Sequence, residues 1–362
     1  MRLVNRPAAP AFVMILAAVF NGGLASAASA DAKTAEQAFK NIVQLKGTPA
    51  DQLIPTMQFI AASLGVECSF CHVEGKMDLD DKQAKKTARE MMAMMATLNK
   101  DSFGGHREVT CYSCHHGAEH PASTPPVIES DMPARPEHAA PAAAKISADQ
   151  IIEKYQAAVG GEAAMKRTSS RVAKGEILFG GHSTPIELLT KAPNKRMSIS
   201  KTPNGESITA FDGTGGWLGN TGRAPREMSP AESEAAGLDA EFYLALRIKE
   251  IFPQLRVGRP ETIQGVECNT LIGIRPDRPP VRLFFDANTG LLVRQVRYGE
   301  TPLGRNPTQI DYADYREVDG VKIPFRWTLA RTNGRFTIQL ADVKANVPLE
   351  DSKFSKPASE VK

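Results

Sequence analysis

The chain has 362 residues, 42% of them hydrophobic, with 44 Lys and Arg against 41 Asp and Glu for a formal net charge of +3. That length allows two ordinary domains. A balance so near neutrality leaves no basic footprint for nucleic acid and says little about other partners.

At the N-terminus, Arg2 and Arg6 form a basic region, residues 11–20 an apolar run, and Ala25-Ser26-Ala27 or Ala28-Ser29-Ala30 a small-residue cleavage site. This predicts a secretory signal over 1–30, removed on export. Losing Arg2 and Arg6 takes the 44 basic residues to 42 against 41 acids, a formal +1. The apolar run is too short to span a bilayer, and no cysteine precedes Cys68 to take a lipid. The mature chain is expected in the periplasm, free or peripheral to a membrane, with no transmembrane helix.

Next, Leu53, Met57, Ile60, Ala61 and Leu64 recur at helical spacing, with Pro55 suiting a first turn and Gly65 falling just past the end. A second helix is predicted after a cap at Asp80 or Asp81, with Met91, Met94, Met95 and Leu98 on one face and Met92 to the side. Each helix leads to a C-x-x-C-H motif, Cys68-Ser69-Phe70-Cys71-His72 and Cys111-Tyr112-Ser113-Cys114-His115. This pattern reads as covalent haem attachment. Cys68, Cys71, Cys111 and Cys114 would add to haem vinyl groups as thioethers, and His72 and His115 would reach the iron. Two c-type haems are therefore expected, in agreement with export, because such haem is attached after it.

Other uses of the cysteines fit less well. A zinc ribbon places its pairs about 15–20 residues apart, a thioredoxin-like pair needs a βαβ context, and two disulfides leave the repeated histidine unexplained. Cys268 reads as a buried apolar thiol. Methionine thioether is a soft donor suited to the sixth iron position, and His/Met ligation raises the potential. The stripe offers Met57 for that role, against plain packing on the porphyrin, while the second helix leaves Met91, Met92, Met94 and Met95 open.

The run 57–72, with Ser63-Leu64-Gly65 before Cys68, and Ala88-Arg89-Glu90-Met91 continuing to Val109-Thr110-Cys111, resemble the cytochrome c subunit of photosynthetic reaction centres over residues 36–120. The resemblance implies a unit of one helix carrying an axial methionine, a turn, and a second helix containing C-x-x-C-H. It places the distal iron ligands at Met57 and Met91. That subunit has four haems and this chain two motifs, so a photosynthetic partner is not implied, and the chain looks more like a two-haem relative in another electron-transfer chain. His116 stands where arginine is common and reads as solvated or propionate-facing. His106 lies near the position of a histidine that serves a further haem, and reads as an exposed loop residue. With both axial positions filled, outer-sphere electron transfer between a redox donor and acceptor is expected rather than catalysis.

From 119 to 146, Pro121, Pro125, Pro126, Pro133, Pro136 and Pro141 lie among alanines and polar residues, the composition of a semi-extended linker. Beyond it, Ile151, Ile152, Tyr155 and Ala158 predict one initial helix ending at Gly160-Gly161. Strands follow, turning at Pro193-Asn194, across 286–290, at Asp319-Gly320 and at Asn333-Gly334. With Phe211-Asp212-Gly213-Thr214 leading to Trp217, this pattern resembles the outer-membrane lipoprotein-carrier superfamily (LolA/LppX-like). The resemblance implies a curved, incomplete barrel over helices, with lipid, lipoprotein or quinone as candidate ligands. Trp217, Phe242, Tyr243 and Trp327 are candidate cavity-lining residues, whereas Asp311 and Asp314 read as solvent-facing charges.

The expected fold is thus multidomain, a small all-α multihaem-type cytochrome c domain (31–118), the linker (119–146), an α+β domain with a curved antiparallel half-barrel sheet (147–357) and a tail (358–362). Two functions remain open, an electron carrier docked through its β-domain and an apolar-ligand carrier whose haems act on what it holds.

Overall fold

The structure, a computed structural model, describes residues 33–123, 146–203 and 205–357. The expected signal at 1–30, most of the linker and the tail at 358–362 lie outside the described residues.

The first part is helical, with α1 (Ala35–Ala38), α2 (Ala50–Leu64), α3 (Cys68–Cys71), α4 (Gln83–Ser102) and α5 (Cys111–His115). Gly65 ends α2 as expected, at φ 68°, its N–H donating to the Ala61 carbonyl. Pro55 is not in the first turn but inside the helix, which starts five residues earlier behind Pro49. A proline there removes the hydrogen bond to the Asp51 carbonyl, on an exposed residue where water can replace it. Neither Asp80 nor Asp81 caps α4, whose N-cap is Lys82. Asp80 binds Arg89 and Lys85 instead. The methionine stripe also splits, since Met95 is buried and Met92 packs against the core beside it, while Met91, Met94 and Leu98 are exposed.

The second part opens with α6 (Ala148–Ala158), boxed at Ser147 and Gln150, and a further helix, α7 (Gly161–Arg167). Six strands follow: β1 (Ser170–Phe179), β2 (His182–Lys191), β3 (Lys195–Thr202), β4 (Gly205–Phe211), β5 (Gly216–Asn220) and β6 (Arg223–Glu227). Helices α8 (Pro230–Ala240) and α9 (Leu244–Ile251) interrupt the sheet before β7 (Gln254–Val257), β8 (Glu261–Ile263), β9 (Val266–Ile274), β10 (Val281–Asp286), β11 (Leu292–Thr301), β12 (Gly304–Val318), β13 (Val321–Arg331) and β14 (Gly334–Ala345). These fourteen strands form one antiparallel sheet in the order β6-β5-β4-β3-β2-β1-β14-β13-β12-β11-β10-β9-β7, with β8 on β9, so it curves without closing. All four predicted turns lie between paired strands.

Instead of one initial helix, four helices accompany the sheet. The main core lies where α6, α7 and α9 meet it, around Ile248, Phe252, Leu271 and Leu283, each at most 2% exposed. Burying side chains of this size contributes about 1.5–3 kcal/mol apiece. The β11–β12 hairpin reaches the helical part, where Leu303 joins Leu53, Phe59 and Met95 in one apolar cluster. Asn306 Nδ2 donates to the Pro55 carbonyl (2.8 Å), and Arg107 pairs with Glu300 (2.5 Å) and the Thr301 carbonyl.

Candidate cofactor-binding site

Both motif histidines are oriented in the same way. His72 Nδ1 lies 2.8 Å from the Met77 carbonyl and His115 Nδ1 lies 3.0 Å from the Ala118 carbonyl. A carbonyl only accepts, so each Nδ1 carries a proton, and in the neutral ring it is Nε2 that keeps a lone pair for another partner. Fixing the tautomer through the far ring nitrogen is how a metal-binding imidazole is prepared.

The Met77 carbonyl is itself clamped. Lys85, on the buried side of α4, donates Nζ to the Met77 and Leu79 carbonyls (3.0 and 2.8 Å) and pairs with Asp80 (3.2 Å). Arg89 binds Asp80 (2.8 Å) and the Asn41 carbonyl (3.1 Å), and Asn41 Nδ2 donates to Asp80 and to the Asp78 carbonyl. Arg89, followed by Asn41, holds the Asp80 carboxyl below its usual range. The Ala88-Arg89-Glu90-Met91 run therefore contributes a loop clamp as well as a methionine.

The second motif is fixed from α4 too. Asn99, 7% exposed, donates to the Val109 carbonyl (2.7 Å) and accepts from the Glu108 and Val109 N–H groups (3.1 and 3.0 Å), setting the chain that enters Cys111. On leaving it, Gly117 N–H donates to the Ser63 carbonyl (2.9 Å), and a Cβ on Gly65 would lie 2.1 Å from the Gly117 oxygen. Ser63-Leu64-Gly65 thus joins the two motif neighbourhoods. Direct helix packing is crossed, with α2 against α5 and α3 against α4.

All four motif thiols are free, and burial pushes those of Cys71 and Cys111 up. Among the described residues no three His, Cys, Asp or Glu side chains converge on a metal position, so the two C-x-x-C pairs do not meet as one cluster. Of eleven exposed large apolar residues among the described ones, nine lie in 33–123, including Met77, Met91, Met94, Leu98 and Tyr112. Beside free thiols and oriented imidazoles, these exposed apolar side chains suit an apolar, covalently held macrocycle.

Met57 is half-buried on α2 and packs against the same apolar cluster as Met92 and Cys111, and Met91 is 40% exposed on α4. Met92 and Met95 fill the core. His116 adopts φ 49° and sets its ring edge-on to Tyr112, and both His116 and His106 are exposed. Sequence reading missed Lys85 and Asn99, although both fall on the buried α4 stripe with Met92 and Met95, where a polar residue signals a structural partner.

The sheet encloses a second feature, a cavity of about 1180 Å³. Phe242 and Trp327 line it, but Trp217 is core, donating Nε1 to the Phe354 carbonyl (2.8 Å), and Tyr243 donates to the Thr168 carbonyl (2.9 Å). Phe39, Ile54, Pro55 and Gln58 of the helical part also face it. Asp311 is not solvent-facing, being half-buried against Arg294, whereas Asp314, at φ 53°, pairs with Arg316 (2.7 Å). Cys268 is buried as expected, at 1%.

The model of the photosynthetic reaction centre cytochrome C subunit family matches residues 15–155. The photosynthetic reaction center cytochrome c subunit of Thermochromatium tepidum is 28% identical over 95 residues, which span 25% of this chain and 24% of that protein. Two solved structures also resemble part of the chain. A LolA superfamily protein from Nitrosomonas europaea is 16% identical with a TM-score of 0.42, covering 58% of this chain and 98% of its own. A DUF1329 family protein from Desulfovibrio piger is 13% identical with a TM-score of 0.40, covering 57% and 97%. The resemblance read from the two motifs thus holds over the segment that carries them.

Proposed function

We propose that this chain is an exported, periplasmic dihaem electron carrier. Residues 31–118 would hold two c-type haems through Cys68 and Cys71 and through Cys111 and Cys114, with His72 and His115 as proximal and Met57 and Met91 as distal iron ligands. Bound haem supplies reversible one-electron exchange. The chain's own residues orient both imidazoles through backbone carbonyls, clamp the Met77 loop with Lys85 and Arg89, and present apolar side chains that exclude water. The observation carrying this reading is the matched pair of Nδ1 contacts at 2.8 and 3.0 Å, which leaves both Nε2 atoms available.

Intact mass and visible spectra of protein matured with the c-type haem machinery test it. Two covalent haems are expected, with a far-red ferric band that weakens in Met57→Ala and in Met91→Ala. A mass without haem overturns the reading, and a high-spin spectrum overturns the methionine ligands. A second reading, in which lipid, lipoprotein or quinone is held and acted on by the haems, is favoured by the place of α2 in the cavity wall. Lipid or quinone retained by the purified full chain would support it.

A further inference from the structure

The cavity is not a plain apolar pocket. It exceeds the roughly 300–1,000 Å³ of ordinary ligand sites, and Ile177, Ile186, Leu188, Ile338 and Leu340 contribute an apolar wall. Cationic side chains interrupt that wall. Arg171 of β1 is half-buried with its guanidinium carbon 4.2 Å from the Phe242 ring centroid. Its Nε is buried without a hydrogen-bond partner, and among the described residues no carboxylate pairs with it. Burial lowers its pKa to about 10, Tyr243 and Tyr155 being the neighbours that partly oppose this. Tyr155, from α6, lines the same cavity.

A second group of charges shows the same surplus. Arg297 holds Asp239 with two hydrogen bonds (2.5 and 2.8 Å), and Arg196 donates to the Asp239 carbonyl (3.1 Å). Burial pushes the Asp239 carboxyl up, but Arg297, Arg196 and Arg331 together hold it below its usual value. Three guanidiniums thus face the Asp239 carboxylate, with Glu232 a further acid near Arg331, and among the described residues no carboxylate forms an ion pair with Arg331. An unpaired buried guanidinium is costly unless something meets it, and a planar guanidinium matches carboxylate and phosphate oxygens.

We infer that the half-barrel cavity holds an acidic amphiphile, an apolar chain with one anionic carboxylate or phosphate head, and that Arg171 with Tyr155 receives the head. This rests on the reading in which the cavity holds an apolar ligand and adds the chemistry of its head; the groups that would receive the head belong to the β-domain, so the head preference is tested apart from haem ligation.

Calorimetric titration of the full-length haem-loaded protein with dodecanoate, dodecyl phosphate and dodecanol, below their micelle concentrations, keeps the chain constant and varies the head. Either or both anions should bind about tenfold or more tighter than dodecanol, as a charge-assisted hydrogen bond contributes, and the tighter anion names the head. Arg171→Gln should erase that preference, and Tyr155→Phe should reduce it several-fold. Equal binding of all three probes, binding of none, or a preference that survives in Arg171→Gln would overturn the inference. The wild-type series decides the matter even if the Arg171 variant does not fold.

Discussion

Replacing Asn99 by alanine tests how the second motif is held. The side chain makes three hydrogen bonds to the 108–109 backbone, at 2.7, 3.0 and 3.1 Å, from a position only 7% exposed. At a net value of about 1 kcal/mol each, their loss should destabilise the helical part by about 3 kcal/mol, and by more where the freed N–H groups cannot reach water. Asn99→Asp keeps the acceptor for Glu108 and Val109 but loses the donor to the Val109 carbonyl, so about a third of the effect should remain. Guanidinium titration of the haem-loaded protein, followed by Soret absorbance, gives the stability of that part. Trp217 and Trp327 both lie in strands of the sheet, so fluorescence follows the sheet separately. A Soret transition in Asn99→Ala within about 0.5 kcal/mol of wild type, the range of an ordinary surface substitution, would refute the reasoning.

Gly65→Ala introduces a Cβ at φ 68° and 2.1 Å from the Gly117 oxygen, and should cost more than about 2 kcal/mol, seen as a lower thermal midpoint of the haem-bearing part. Asp80 has a folded pKa below its ordinary value of 3.8, chiefly through Arg89 and then Asn41. Its contribution is therefore present above about pH 4 and is lost as pH falls through the lower folded value. Asp80→Asn should flatten that acid limb in denaturation curves, and an unchanged acid limb would contradict the clamp. Gly304→Ala places a Cβ 2.1 Å from Phe59 Cζ and should cost about 1–3 kcal/mol of contact between the helical part and the sheet. Limited proteolysis should then cut faster within 119–146.

The motifs, the glycine ending α2 and the β-turns were legible because each is local. Asp319-Gly320, at φ 52° and 77°, and Asn333-Gly334 at φ 146° for the glycine need backbone conformations that only a few residue types adopt readily. The missed features depend on partners far along the chain. Asp80 looks like a cap until Asn41 and Arg89 are brought to it. Arg294 crosses from β11 to neutralise Asp311, which composition cannot reveal. The α8 start was readable, since Ser229 and Glu232 form a reciprocal capping box around Pro230. Its amphipathic signal is weak because α8 packs beside β3, β4 and β5 and the cavity rather than deep in a core.

Helix α2 is common to everything above. Over 15 residues it carries Met57, rests Phe59 on the β11–β12 hairpin, and turns Ile54 and Gln58 to the cavity. One rigid rod cannot move for one of these without moving for the others. If one haem is held through Met57, as proposed, thermodynamic linkage requires reciprocity. Any change in potential produced by filling the cavity must equal, in free energy, the change in ligand affinity between oxidised and reduced protein, so two unrelated instruments must return one coupling energy.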